Sequence, residues 1–213
     1  MRFKILFIVS FLFQASFAQE QLKKSELEAG DFLFQDLGGG DLSNAIKKVT
    51  PHYNDHYFSH VGMLTDYDGR LVVIESYDNI ADTVSLEKFA ARTQQTIYVG
   101  RLKKVYQPLA VKASEEVKNY RGIKYDEKYL PDSNQLYCAE LIYYVFRSVN
   151  QQQDFFKMQP MTFKDPETHE LFSGWINYYK NYFQMDVPEG KLGINPGLLI
   201  NDKRLDVYFL SQL

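Results

Sequence analysis

The chain has 213 residues, a formal net charge of −3 and 45% hydrophobic residues. This length suits one domain with a substantial core, and the mild acidity argues against a nucleic-acid partner because phosphate binding needs a basic surface. A single cysteine, Cys138, is present, so an internal disulfide is excluded.

The first 18 residues have the three parts of a secretory signal peptide. Arg2 and Lys4 precede an apolar run over 5–13, and the small residues around Ala18 form a cleavage site. The apolar run is too short to span a bilayer. We therefore expect a periplasmic or secreted protein without stable membrane insertion. Its mature domain would be 19–213, with a net charge of −5 once the two basic residues of the leader are lost.

Strand and turn signals dominate the first half of the mature chain. Apolar stretches bounded by glycine or aspartate predict strands, and capped amphipathic stretches predict helices. The predicted strands are 30–35, 59–65, 71–75 and 96–102, with helices starting at Asp41 and covering 85–92. A turn at 66–69 joins the second and third strands.

The second half is predicted to be more helical at first and irregular later. Residues 108–121 have helical spacing, and 122–134 form a polar loop. From Cys138 onward, apolar residues recur on one helical face through Val149. The last 60 or so residues contain many aromatic residues and four prolines. They are predicted to lack regular secondary structure and to cover the core, apart from a final short strand at 207–210.

Cys138 is a candidate nucleophile. Exported proteins normally use cysteines in disulfide pairs, and Cys138 has no possible partner within the chain. Its position at a predicted helix start favours the reactive thiolate form. The alternative is a small buried apolar residue, because free cysteines are among the most buried residue types.

A thiol nucleophile needs a nearby base and a group that orients the base. Of the four histidines, His60 is the best placed because a strand would hold it rigidly. If Thr65 pairs with Arg70 around a four-residue loop, His60 lies directly opposite Glu75, with Cβ atoms roughly 4.5–5.5 Å apart. A slip of one residue would place the two side chains on opposite faces.

Glu75 ends an apolar run, where a carboxylate is costly unless it is paired. A histidine partner would satisfy Glu75, fix the imidazole tautomer and raise the histidine pKa. Considered singly, His60 could equally be a structural histidine, and Glu75 a strand-end residue facing water.

A metal site is a competing interpretation of the histidines. His52, His56 and His60 are spaced by four residues, which would align them on a helix. Pro51 and Asn54 favour a loop instead, and no second cluster of Cys or His follows. We therefore predict no metal and no cofactor.

Several short motifs occur in an order that resembles a known family. They are Gly30-Asp31-Phe32-Leu33-Phe34, Ser59-His60-Val61-Gly62-Met63, Val73-Ile74-Glu75-Ser76, Gly122-Ile123-Lys124-Tyr125-Asp126, Tyr137-Cys138-Ala139-Glu140-Leu141-Ile142, Val187-Pro188-Glu189-Gly190 and Asn195-Pro196-Gly197-Leu198-Leu199. The series resembles the permuted papain-like amidases of the YaeF/YiiX type. These form a circularly permuted branch of the NlpC-like cysteine peptidase superfamily, in which the histidine precedes the cysteine.

The resemblance implies a compact α+β fold in which the helix bearing Cys138 packs against an antiparallel sheet. It also implies that Cys138 is the nucleophile, His60 the general base and Glu75 the group that orients His60. Tyr137 and Tyr125 match motif positions and would line the substrate site. Two further matches, Asp31 and Asp126, are weaker candidates for direct chemistry.

We therefore expect an exported cysteine hydrolase that cleaves an amide bond through an acyl-enzyme, with a peptide, amide or acyl substrate such as a cell-wall fragment. One alternative is a lipid esterase or acyltransferase with the same triad. Another is a catalytically idle binding module.

Overall fold

The computed structural model describes residues 20–131 and 134–211. The predicted signal peptide and its cleavage site after Ala18 lie outside these described residues. Within them, no helix is both long and apolar enough to cross a membrane.

Most of the described strands form one seven-stranded sheet in the order β1-β9-β6-β2-β3-β4-β5. Adjacent strands are antiparallel, apart from the parallel pair β1 and β9. A separate small ladder joins β7 and β8. The strands are β1 Gln21–Leu22, β2 Phe32–Gln35, β3 His60–Tyr67, β4 Arg70–Tyr77, β5 Ile80–Val84, β6 Tyr98–Leu102, β7 Gln159–Pro160, β8 Leu192–Gly193 and β9 Leu205–Leu210. The helices are α1 Asp41–Val49, α2 Leu86–Ala90, α3 Gln107–Glu116, α4 Cys138–Val149, α5 Ser173–Phe183 and α6 Pro196–Ile200.

The central strands are buried because helices cover both faces of the sheet. On β2, Phe32 packs in the same core cluster as the apolar face of α4. The next residue, Leu33, packs in the other cluster with Phe89 of α2. This alternation follows from the two-residue period of a strand. The structure confirms the expected α+β fold, with the Cys138 helix against an antiparallel sheet.

The β3–β4 hairpin differs in register from the sequence prediction. Tyr67 pairs with Arg70, so the loop contains only Asp68 and Gly69, rather than four residues. Both loop residues have positive φ, 52° and 77°, which is the conformation that a two-residue Asp-Gly turn favours. The pairing is therefore shifted by two residues, and the same register continued to the start of β3 sets Tyr77, rather than Glu75, opposite His60.

The C-terminal region is more regular than predicted. Residues expected to form irregular cover contain the eleven-residue helix α5. Its Trp175 and Tyr179 are buried one turn apart, and the indole N–H of Trp175 donates a hydrogen bond to the carbonyl of Ala45 in α1, at 3.0 Å. Packing against α1 thus stabilises a helix in a segment that many prolines interrupt.

A close approach at Gly197 explains one of the sequence motifs. Gly197 lies in the first turn of α6, where the Asn195 side chain accepts a hydrogen bond from the Leu198 amide at 2.8 Å. A Cβ atom on Gly197 would collide with the backbone carbonyl of Pro51. Glycine at this position therefore allows α6 to hold the loop that follows α1.

We predict that Gly197→Ala destabilises the fold by about 1–3 kcal/mol, because backbone atoms cannot yield as a flexible side chain can. Gly39→Ala is the control, since a Cβ there would meet nothing within 4 Å and should change stability by less than about 0.5 kcal/mol. Denaturant unfolding measures both values, and equal stabilities for the two variants would contradict the predicted clash.

Candidate active site

Cys138 is the first residue of α4, as the sequence predicted. Tyr137 precedes it in an extended conformation and makes no side-chain cap to the first turn. The thiol therefore lies at the positive end of the helix dipole, which favours a thiolate. Cys138 is 5% exposed and lines a cavity, so a small molecule can reach it.

His60 and Glu75 are joined directly despite the different register. Their Nε2 and Oε2 atoms are 2.6 Å apart, and both side chains are buried. A shift of two residues keeps both side chains on one face, so they meet diagonally across the hairpin. Cys138 is one of the groups that raise the pKa of His60, so the thiol lies beside the imidazole ring. Because Nε2 faces Glu75, Nδ1 is the ring nitrogen left for the thiol.

Electrostatics at the site favour a protonated imidazole beside the Glu75 carboxylate. Burial alone would lower the pKa of His60, but the hydrogen bonds to Cys138 and Glu75 outweigh it and raise the pKa to about 9. Burial would likewise raise the pKa of Glu75, but the bonds from His60 and Arg92 hold it below its usual value. The carboxylate is therefore ionised at neutral pH.

Arg92 and Tyr77 complete the surroundings of this pair and were not predicted as site residues. The Nη1 atom of Arg92 is 2.5 Å from Oε1 of Glu75. Its guanidinium lies 4.2 Å from the ring centroid of Tyr77, and that ring lies 5.3 Å from the His60 ring. Arg92 follows α2, so it reaches Glu75 only through the packing of α2 on β4. No local motif could have indicated this contact.

A mostly apolar cavity of about 190 Å³ adjoins Cys138. Residues from α1, the β7–β8 region, α5 and α6 line it together with the tyrosines that precede α4. They include Ile46, Val49, Met161, Phe163, Trp175, Ile194 and Leu198. The cavity can accommodate an apolar group of a molecule whose carbonyl reaches the thiol.

The two tyrosines expected near the substrate both line this cavity. The Tyr137 hydroxyl accepts a hydrogen bond from the Ile194 amide at 3.0 Å, and the Tyr125 hydroxyl is 3.4 Å from that of Tyr129. Burial raises the pKa of Tyr137 and of Tyr125 well above the usual range. Both phenols are therefore neutral hydrogen-bonding groups beside the thiol.

The other motif carboxylates have structural partners. Asp31 accepts two hydrogen bonds from the guanidinium of Arg101, at 2.8 and 2.7 Å. Asp126 accepts hydrogen bonds from the backbone amides of Lys128 and Leu130, at 2.9 and 2.7 Å. These bonds shape the loop that carries Tyr125.

A sequence model of the permuted papain-like amidase enzymes, YaeF/YiiX, C92 family, matches residues 26–208. The chain belongs to this family. It is therefore a cysteine hydrolase of the amidase type, which confirms the resemblance noted in its motifs. A search of curated proteins finds no significant match.

A solved structure with the same fold is described as metalloprotein YiiX from Escherichia coli O157:H7. It is 19% identical, with a TM-score of 0.70, and the match covers 87% of this chain and 97% of that chain. In the described part of this amidase, no group of three or more His, Cys, Asp or Glu side chains is arranged to hold a metal ion. The loop from Pro51 places His52 and His56 outside any helix.

We predict that iodoacetamide alkylates Cys138 at least about ten times faster than a free cysteine at pH 6.5. At pH 6.5 the His60 side chain carries a positive charge, because its pKa is raised to about 9, and a positive charge beside a cysteine speeds its reaction with alkylating agents. Mass spectrometry of timed samples gives the rate.

Replacing His60 with Ala should slow alkylation at pH 6.5 and make the rate rise with pH as for an ordinary thiol. His52→Ala, which removes a histidine outside the site, should leave the rate unchanged. A His60→Ala variant that reacts as fast as wild type at every pH would contradict the prediction.

Proposed function

We propose that this family member hydrolyses an amide bond with Cys138 as nucleophile, His60 as general base and Glu75 as the group that orients His60. The observation that carries the proposal is that the Cys138 thiol, at the head of a helix and beside a cavity, adjoins His60, which is 2.6 Å from Glu75. Nucleophile, base and orienting group have the mutual arrangement that thiol catalysis requires.

Acylation begins when the Cys138 sulfur attacks the substrate carbonyl carbon. The carbonyl oxygen gains negative charge, and the Cys138 backbone amide at the start of α4 is suited to donate a hydrogen bond to it. The His60 imidazolium then gives its proton to the leaving nitrogen. The C–N bond breaks, the amine departs and a thioester remains on Cys138.

Deacylation uses the same groups, but His60 now acts as a base rather than as an acid. Neutral His60 accepts a proton from water, and the resulting hydroxide attacks the thioester carbonyl. The C–S bond breaks, the product leaves as a carboxylic acid and Cys138 returns as a thiolate beside the imidazolium. Glu75 stays ionised and holds the ring in one tautomer throughout the cycle.

For the substrate, we propose a peptide or amide such as a cell-wall fragment. The support is the sequence: its leader predicts export to the compartment where such amides occur. Activity in the periplasm or the medium, rather than in the cytosol, would agree with this location.

The test is a screen of peptidoglycan fragments, acyl-amino acids and phospholipids, with Cys138→Ala and His60→Ala as controls. We expect turnover of at least one amide by wild type and a loss of at least about 10³-fold in both variants. Equal turnover by wild type and Cys138→Ala would overturn the assignment. Binding without turnover of any compound would favour an idle binding module.

Lipid ester hydrolysis or acyl transfer is a second candidate because the cavity beside Cys138 is mostly apolar. An acyl chain would gain from burial there, whereas the polar stem of a cell-wall peptide would not. The thioester step is the same, with an alcohol as the leaving group or as the acceptor.

Ile46→Trp should separate the two candidates because Ile46 lines the cavity and is not a member of the triad. If the cavity holds an acyl chain, the KM for long-chain substrates should rise at least about ten-fold, with the alkylation rate of Cys138 unchanged. Val111→Trp, at an exposed site on α3, is the control. An unchanged preference for chain length in Ile46→Trp would contradict this use of the cavity.

A further inference from the structure

We propose that Arg92 is a positioning residue that extends the triad to a four-residue array, by fixing the Glu75 carboxylate so that one oxygen alone serves His60. The inference rests on the proposed roles of Cys138, His60 and Glu75 and adds a residue to that site.

The two oxygens of Glu75 have separate partners. Oε2 is 2.6 Å from His60 and Oε1 is 2.5 Å from Arg92. The carboxylate is 5% exposed, so solvent cannot replace either partner readily. If Arg92 were removed, the carboxylate could rotate and Oε1 would lose its donor. A hydrogen bond to a charged group is among the stronger ones, and its loss in a buried site is costly.

Arg92 also holds the ring that packs beside His60. The guanidinium stacks on Tyr77 at 4.2 Å, and the Tyr77 ring packs against the His60 ring, with centroids 5.3 Å apart. The His60 ring also lies near Phe89 of α2, with ring centroids 5.8 Å apart. Arg92, which follows α2, thus restrains the imidazole through Glu75 and through Tyr77.

The charges around Glu75 explain why a cation is needed at this point. Asp82 of β5 is its direct cross-strand partner, and like charges directly opposite each other destabilise a sheet. Each carboxylate has its own arginine: Asp82 is paired with Arg121 at 2.8 Å, and Glu75 with Arg92. Arg92 therefore lets Glu75 remain ionised beside another anion.

The experiment compares Arg92→Gln, Arg92→Lys and Arg147→Gln by iodoacetamide alkylation of Cys138 at pH 7. Arg147 is the matched control because it pairs with Asp154 at 2.9 Å at the far end of α4. We expect Arg92→Gln to slow alkylation about 10-fold to 100-fold, since small displacements of a base cost that much. Arg92→Lys should recover part of the rate, and Arg147→Gln should match wild type.

A proton NMR signal from His60 Nε2–H supplies a readout that a purely structural role would leave unchanged. In wild type this proton should resonate far downfield, and in Arg92→Gln it should broaden as exchange with water accelerates. Arg92→Lys should preserve the signal, and it provides the comparison if Arg92→Gln does not fold.

Folded Arg92→Gln with an alkylation rate within two-fold of wild type would overturn the role of Arg92. If His60→Ala slows alkylation while Arg92→Gln does not, the Arg92 inference alone fails. If His60→Ala also leaves the rate unchanged, the proposed function itself fails.

Discussion

The site depends on one constraint, which is that a buried carboxylate must find a donor for each oxygen. Glu75 follows the apolar run of β4 and is buried, so it has lost its hydration. His60 satisfies one oxygen and Arg92 the other. The bond that stabilises Glu75 also fixes the imidazole, and the fixed imidazole lies beside the Cys138 thiol. Folding stability and the geometry of the thiol are therefore set by the same interaction.

The meeting of His60 and Glu75 was predictable although the register was wrong. Which face a strand residue occupies depends only on whether its position is odd or even, so a shift of two residues leaves both side chains on one face. The length of the loop depends on the turn, and Asp68-Gly69 favours two residues with positive φ rather than four. The sequence pattern alone predicts which face of the sheet each side chain occupies. The exact cross-strand partner of His60 can be predicted only once the type of turn is known.

Contacts between distant segments could not be predicted in this way. Arg92 reaches Glu75 through the packing of α2 on β4, and no pattern near Arg92 records that contact. The helix α5 is hidden for a related reason, since it is rich in aromatic residues and the segments on either side of it contain prolines, as loops often do. Its buried residues Trp175 and Tyr179 are four apart, a helical spacing that becomes informative only once α1 is known to cover them. By contrast, the start of α4 at Cys138 was predictable because its apolar spacing is local.

The array draws its members from elements on both faces of the sheet. Cys138 begins α4, which packs with Phe32 and Met63, whereas Arg92 follows α2, which packs with Leu33 and Val73. His60 can lie beside groups from both faces of the sheet, Cys138 and Glu75, because it is the first residue of β3. Gly62 allows this close packing because it has no side chain. A Cβ atom there would collide with Val73 and approach Phe89 to 3.1 Å. A larger residue would press on Phe89 of α2, the helix that precedes Arg92, so the glycine of the Ser59–Met63 motif helps α2 to pack closely beside the site.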